Sequence, residues 1–357
     1  MHRARAFFFV CAGLFLLGSS SVAGPSPWPA NYLLGLISSN KTLTRAYPGP
    51  FYYMVGDLTV APGATLTIEP GCTISVSASD TLQGGQDAVH VEFAVNGALV
   101  CQGDAADSIC FRSASPGVGN WLGISVGPSG SASLAYCSIT GAVTAVTVGN
   151  GGAGNLSNSE ISACVGGVSG PLAIQRCILL GPGAVGRNYG ASGGVSISDP
   201  TPNDPNPTVI RWFFIGVSSQ YFPGQVANVL VTDCSIGFDF CVASYCTAYN
   251  NNVGFYAGTA KNCISAANSS YGFEDSDVSF SDSWSNPSNY AYCTNLPMTA
   301  NWSPFFMNAP SDLRLRPESI FMTWSDTGMQ IGAYGPGAGP PVAARRTSWG
   351  SIKSLYR

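Results

Sequence analysis

Between Val55 and Val76 the chain sets apolar residues at every second position. Leu58/Val60, Leu66/Ile68 and Ile74/Val76 each enclose one hydroxyl-bearing residue, the alternation of a short strand that buries one face. Val60, Ile68 and Val76 succeed one another at intervals of eight residues, and Pro62-Gly63 and Pro70-Gly71 bend the chain between them. Strands this short, joined by bends too tight for a helical crossover, suit a chain that winds into a coil and stacks each strand on the next turn. The pattern therefore predicts an all-β parallel solenoid. The alternation continues through Val91-Glu-Phe93-Ala-Val95, Ile109-Cys-Phe111 and Trp121-Leu-Gly-Ile124-Ser-Val126.

Two stretches interrupt it. Ser77 to His90 is polar and reads as a loop thrown out from one coil. Gly181 to Pro207, rich in Gly, Pro, Asn and Asp, reads as a longer excursion. Beyond it Ile236-Gly-Phe238, Val253-Gly-Phe255 and Tyr271-Gly-Phe273 recur at intervals of 17 and 18 residues. A fixed period of this size marks stacked units that bury their cores against each other. Phe238, Phe255 and Phe273 should stack inward on successive turns. Asn250-Asn251-Asn252 and Asn268 fall where turns recur, and stacked Asn side chains can hydrogen-bond along a coil axis. At roughly 4.8 Å per turn, about ten coils would form a rod about 50 Å long.

Composition sharpens this picture. The 357-residue chain holds 43 Gly, 24 Pro and only 10 % charged residues, a turn-rich β composition. Its net charge of −4 gives no reason to expect a nucleic-acid partner. His2, Arg3 and Arg5, the apolar run Ala6 to Gly18 and Ser21-Val22-Ala23 have the form of a secretory signal, which implies export and a secreted or cell-surface protein. The apolar run is too short to span a bilayer, and no later segment is long enough, so no transmembrane segment is expected in the mature chain. The chain divides into a signal peptide (1–23), a lead-in (24–54) whose Leu33, Leu34, Leu36 and Ile37 can cover the first coil, the β-helix (55–300), a closing segment (301–335), and a linker with a basic tail (336–357). Trp349, Ile352 and Leu355 in that tail have helical spacing, which suits either a short helix docked on the domain or a sorting signal.

Removal of the signal leaves 11 of the 12 cysteines, an odd number. Cys72, Cys137, Cys177, Cys234, Cys246 and Cys263 lie in apolar or repeat-like strands, as small core residues would. Cys234, Cys241 and Cys246 are close enough in sequence for one local bridge. A zinc site is not expected, since the chain has no Cys-x-x-Cys pair and His90 is the single mature histidine.

Leu36-Ile-Ser-Ser-Asn-Lys-Thr-Leu43 through Val60-Ala-Pro-Gly-Ala-Thr-Leu-Thr-Ile-Glu-Pro-Gly71 resembles the opening coil of secreted bacterial right-handed parallel β-helix proteins of the pectin-lyase-like superfamily. Asn96 to Gly103, Ile109 to Ser113 and Trp121 to Ile124 resemble the coils that follow. Ser303-Pro-Phe-Phe306, Asp312-Leu-Arg-Leu-Arg-Pro317 and Gln330-Ile-Gly-Ala-Tyr334 resemble the closing segment of the same proteins, although its usual Ser-Pro-x-Ile-Asp-x-Gly element is degraded to Glu318 to Trp324. The resemblance implies a single-stranded right-handed parallel β-helix. It leaves activity open, because this architecture carries lyases, glycosidases, epimerases and non-catalytic surface proteins.

The chemical motifs are sparse. His90 has no nucleophile elbow beside it, and Gly149 to Gly154 lacks the Lys and helix of a phosphate loop. The Asp-Asp, Gly-His-Gly, Trp-Ile-Asp-His and Arg-x-Pro-x-x-Arg tracts of pectinases are missing. One acidic column remains. Aligning the Gly-Phe repeats sets Asp239, Tyr256 and Glu274 in one column and Phe240, Ala257 and Asp275 in the next. Asp239 and Glu274 would be two turns apart, roughly 9.6 Å, near the separation of about 6.5–9.5 Å that inverting glycosidases use. Asp239, Glu274 and Asp275 are thus the candidate catalytic residues, with Tyr256, Lys261, Asp277 and Asp282 as candidate substrate contacts. The bland alternative is a solvated acidic face or a weak calcium site; no other cofactor is called for. The sequence accordingly favours an exported, non-catalytic carbohydrate-binding or structural β-helix with a polysaccharide or surface glycan as partner. A polysaccharide lyase or glycoside hydrolase using the acidic column, and a self-associating assembly subunit with exposed strand edges, are the alternatives.

Overall fold

The computed structural model describes residues 29–46, 49–183, 188–198, 206–219 and 225–335; the expected signal peptide and the basic tail lie outside the described residues. The chain is a parallel β-helix. Each regular coil visits three faces, as in Val229–Thr232, Ile236–Asp239 and Val242–Ser244, followed by Thr247–Tyr249, Val253–Tyr256 and Thr259–Lys261. Every strand of the solenoid pairs in parallel with its counterpart one turn away, and the third face counts eleven strands among the described residues. Faces one and two are joined into one sheet because Tyr32–Ile37 and Phe51–Val60 run through both. The alternation read from sequence holds: Tyr52, Met54, Gly56, Leu58 and Val60 are buried, while Tyr53, Val55, Asp57 and Thr59 between them are more exposed.

Corners are cut by residues in the left-handed region. Asp233, Asn250, Ala267 and Ser285 turn the chain from face one to face two; Phe240, Ala257, Asp275 and Tyr292 turn it towards face three; Tyr245, Asn262 and Phe280 return it to face one. Each such residue costs strain, and at the first and third corners a polar residue after it serves the backbone inside the bend. At the first corner Asn251, Asn268 and Asn286 form an amide ladder. The N–H of Cys234 donates to Asn251 Oδ1 (2.9 Å), that of Asn251 to Asn268 Oδ1 (2.9 Å), and that of Asn268 to Asn286 Oδ1 (2.8 Å). At the third corner Cys263 N–H donates to Ser281 Oγ (3.0 Å) and Cys137 N–H to Ser159 Oγ (2.9 Å). Buried N–H groups that would be orphaned at these two bends are thereby satisfied.

The Gly-Phe repeat has a packing cause. Phe238, Phe255 and Phe273 stack inside face two, with ring centroids 4.6 and 4.9 Å apart, and Tyr290 extends the stack at 5.5 Å. The glycine before each ring makes room for the neighbouring coil. A Cβ on Gly254 would lie 2.1 Å from Ser265 Oγ and 2.5 Å from the Gly272 carbonyl oxygen. The cysteines behave as small core residues: eleven are free among the described residues, nine of them buried, and the local bridge within Cys234, Cys241 and Cys246 is not formed.

The expected excursion from 181 to 207 needs correction. Within it Tyr189–Ser192 pairs with Gly166–Ser169 and Ile215–Ser218, and Ser196–Ile197 belongs to face three. The Gly and Ser content hid two strands whose few apolar side chains, Ala191 and Ile197, suffice because both are buried. Ser77 to His90 is a loop as expected, its backbone wrapped on carboxylates: Asp80 accepts from the amides of Leu82 and Gly84, and Glu92 from those of Gln86 and Asp87. The solenoid begins inside the lead-in, since Tyr32–Ile37 and Lys41–Leu43 are already rungs. The closing segment packs on the outside of face one, with Leu315, Phe321 and Ile331 against Ile264 and Ala266, and Leu313, Ala333 and Tyr334 against Leu230. Its one helical element is the 3-10 turn Ile320–Thr323. Among the described residues no helix is long and apolar enough to cross a membrane.

Candidate functional site

The alignment that defined the acidic column is the register of the sheet. Ser218, Asp239, Tyr256, Glu274 and Ala291 are successive rungs of face two. Asp239 is 6 % exposed and accepts a hydrogen bond from Ser218 Oγ at 2.9 Å. Burial raises its carboxyl above the ordinary aspartate range, and the Ser218 hydroxyl partly offsets this. Glu274 is half-buried, and its carboxyl is raised first by burial and then by the neighbouring charge of Asp275. The rung between the two carboxylates carries Tyr256, whose ring meets the edge of Phe240 at 5.8 Å. Asp275 is exposed at the corner, and its N–H donates to the Ala291 carbonyl.

The other candidates are dispersed over the remaining faces. Asp277 is exposed on face three, in register with Thr259. Lys261 ends the preceding strand of that face, and its Nζ lies 2.5 Å from Asp326 Oδ2 in the closing segment. Asn262 supports the same carboxylate, donating from Nδ2 to Asp326 Oδ1 (2.8 Å) and accepting from its N–H at Oδ1 (3.2 Å). Asp282 lies on face one, fully buried beneath the closing segment. The structure therefore brings Asp239, Tyr256, Glu274 and Asp275 together and sets Lys261, Asp277 and Asp282 apart from them.

A second surface was not foreseen. On face three the strands Ala98–Gln102, Ser131–Ala135, Ala153–Ser157 and Leu172–Gln175 line an open groove of about 470 Å³. Gln102, Ala135, Ser157 and Gln175 form one outward column, and Val100, Ser133, Asn155 and Ala173 the next. Ser133 Oγ lies 3.3 Å from Asn155 Oδ1. The walls carry hydroxyls and amides, which both donate and accept hydrogen bonds, and no ionisable side chain lines them. The sequence held a signal, since outward positions of successive face-three strands carry Ser133, Asn155, Ser157 and Gln175. That signal becomes readable only once the register between coils is known. Among the described residues no group of three or more His, Cys, Asp or Glu side chains has an arrangement that would hold a metal ion. No family model, curated protein or solved structure matches the chain.

Proposed function

We propose that this is an exported, non-catalytic β-helix protein of the pectin-lyase-like kind that binds carbohydrate on face three. The observation that carries the reading is the groove itself, where Gln102, Ser133, Asn155, Ser157 and Gln175 stand in register among the apolar Ala135 and Ala173 and no charged side chain lines the wall. Its volume falls in the range of ligand sites, about 300–1,000 Å³. Neutral amides and hydroxyls on rungs about 4.8 Å apart offer a polyhydroxylated chain both donors and acceptors, with no cation in the lining to select uronates. A glycan-array screen paired with a reducing-sugar release assay tests it. Retention of a neutral glycan without release of reducing ends supports the reading, and failure to retain any glycan overturns it.

One observation favours a second reading, that of a glycoside hydrolase. Asp239 and Glu274 stand two rungs apart in one column, and burial raises both carboxyls, as a general acid requires. Under that reading the double change Asp239→Asn and Glu274→Gln abolishes glycan cleavage without shifting the thermal transition. A wild-type protein that cleaves nothing across a broad polysaccharide panel removes it.

A further inference from the structure

Asp282 is fully buried on the outer side of face one, between Ile264 and Ala300 on the adjoining rungs. Its Oδ1 accepts one hydrogen bond, from the Trp302 N–H at 3.1 Å, at the start of the closing segment. Its Oδ2 is buried with no hydrogen-bond partner. Leu315, Phe321 and Ile331 of the closing segment complete an apolar lid around Ile264 and Ala300. The backbone N–H of Ser283, which donates to the Ala300 carbonyl, favours the carboxylate less than that of Trp302 does. A carboxylate held by so little in such surroundings is costly, whereas a neutral carboxyl is tolerated.

No charged side chain stands ready to compensate. The titratable group facing Asp282 is the Tyr290 hydroxyl, which donates to the Ala300 carbonyl and is itself held neutral by burial. The cations of the elements packed around it are engaged elsewhere, Lys261 with Asp326, Arg314 with Asp312 and Arg316 with Glu318.

We propose that the closing segment, residues 301–335, is a proton-held flap: it docks on face one over the neutral carboxyl of Asp282 and loosens as that carboxyl gives its proton to water. Undocking would bare the apolar strip of Leu230, Tyr249, Ile264 and Ala266. The sign follows from the two states. A solvated aspartate ionises near pH 4, whereas burial pushes Asp282 up to about 8. Between these values the docked form holds a proton that the undocked form has released. The contribution of Asp282 to docking is therefore full below about pH 4 and weakens as pH rises, by about tenfold per unit until about pH 8. The Lys261–Asp326 pair across the same interface, which holds the Asp326 carboxyl below its usual range, opposes it only below about pH 4.

The amides of Gly332 and Ala333 report the docked state, because they donate to the Asn262 carbonyl (2.9 Å) and to Thr247 Oγ1 (2.9 Å) across the interface. Hydrogen exchange of the full chain, corrected for the intrinsic pH dependence of exchange, should show their opening constant rising about tenfold per pH unit from pH 5 to pH 8. In Asp282→Asn, which keeps the shape and cannot ionise, the opening constant should be flat over the same range. Equal pH responses in the two proteins, or none in the wild type, would overturn the proposal. Should the Asn variant fail to fold, the carbon-13 carboxyl titration of Asp282 in the wild type decides: a midpoint below pH 5 with the flap docked refutes it, and one near 8 with the exchange slope supports it.

Discussion

Replacing Phe255 by Ala should be among the most damaging single changes in the solenoid. The ring is 3 % exposed and sits between two others, 4.6 Å from Phe238 with planes 6° apart and 4.9 Å from Phe273 with planes 15° apart. Burying a phenyl side chain contributes about 1.5–3 kcal/mol, and each aromatic neighbour adds about 0.5–1.5 kcal/mol. The stacked coils above and below are held by backbone ladders, so the cavity cannot collapse freely. The expected cost is therefore about 3–5 kcal/mol, the range for aromatic-to-alanine changes in packed cores. Phe238 stacks on one ring only and meets Val217 on its other side. Phe238→Ala should thus cost less than Phe255→Ala by about 0.5–1.5 kcal/mol. Urea unfolding followed by far-ultraviolet circular dichroism gives both values. Calorimetry alongside checks that the coils unfold as one unit, which stacked repeats do not always do. A cost for Phe255→Ala below about 1 kcal/mol, or a larger one for Phe238→Ala, would refute the central place of this ring in the stack.

Thiol titration in denaturant without reductant should find at least five free groups; a count of one would show that disulfides hold the coils together. In the native protein the buried thiols should resist modification, because burial pushes Cys164 up to about 11 and Cys234 and Cys241 up to about 12. The half-buried Cys110 and Cys293 should react first. Asn268→Leu removes the acceptor of the Asn251 amide and the donor to Asn286. It should destabilise by about 1–3 kcal/mol for each buried group left unpaired, and an unchanged denaturation midpoint would show that the ladder is incidental.

The architecture was legible because a solenoid writes its period into the sequence. The eight-residue spacing of Val60, Ile68 and Val76, and the 17- and 18-residue spacing of the Gly-Phe units, fix strand length and coil length without any long-range information. The same alignment gave the ring stack, the Asn ladder and the register of Asp239, Tyr256 and Glu274. Tyr189–Ser192 was not legible because a strand of small residues carries too little apolar alternation to stand out from a loop. Asp282 and Lys261 were grouped with the column by closeness in sequence, yet each coil turns three corners, so residues a few positions apart face different directions. The face-three groove escaped because Ser, Asn and Gln read individually as solvated positions. Only the parallel pairing of four strands turns them into one surface.

The most direct test of the account is calorimetric titration of the mature protein with uncharged and uronate-containing oligosaccharides, in parallel with Asn155→Leu and Gln175→Leu. Both side chains point outward from paired strands, so the variants should keep the wild-type circular dichroism spectrum and thermal midpoint. The account expects an uncharged oligosaccharide to bind the wild type, and each variant to lose at least about tenfold in affinity, the equivalent of one or two hydrogen bonds at about 1 ± 0.5 kcal/mol each. Binding that is equal in the variants, or confined to uronates, would contradict the assignment of the groove.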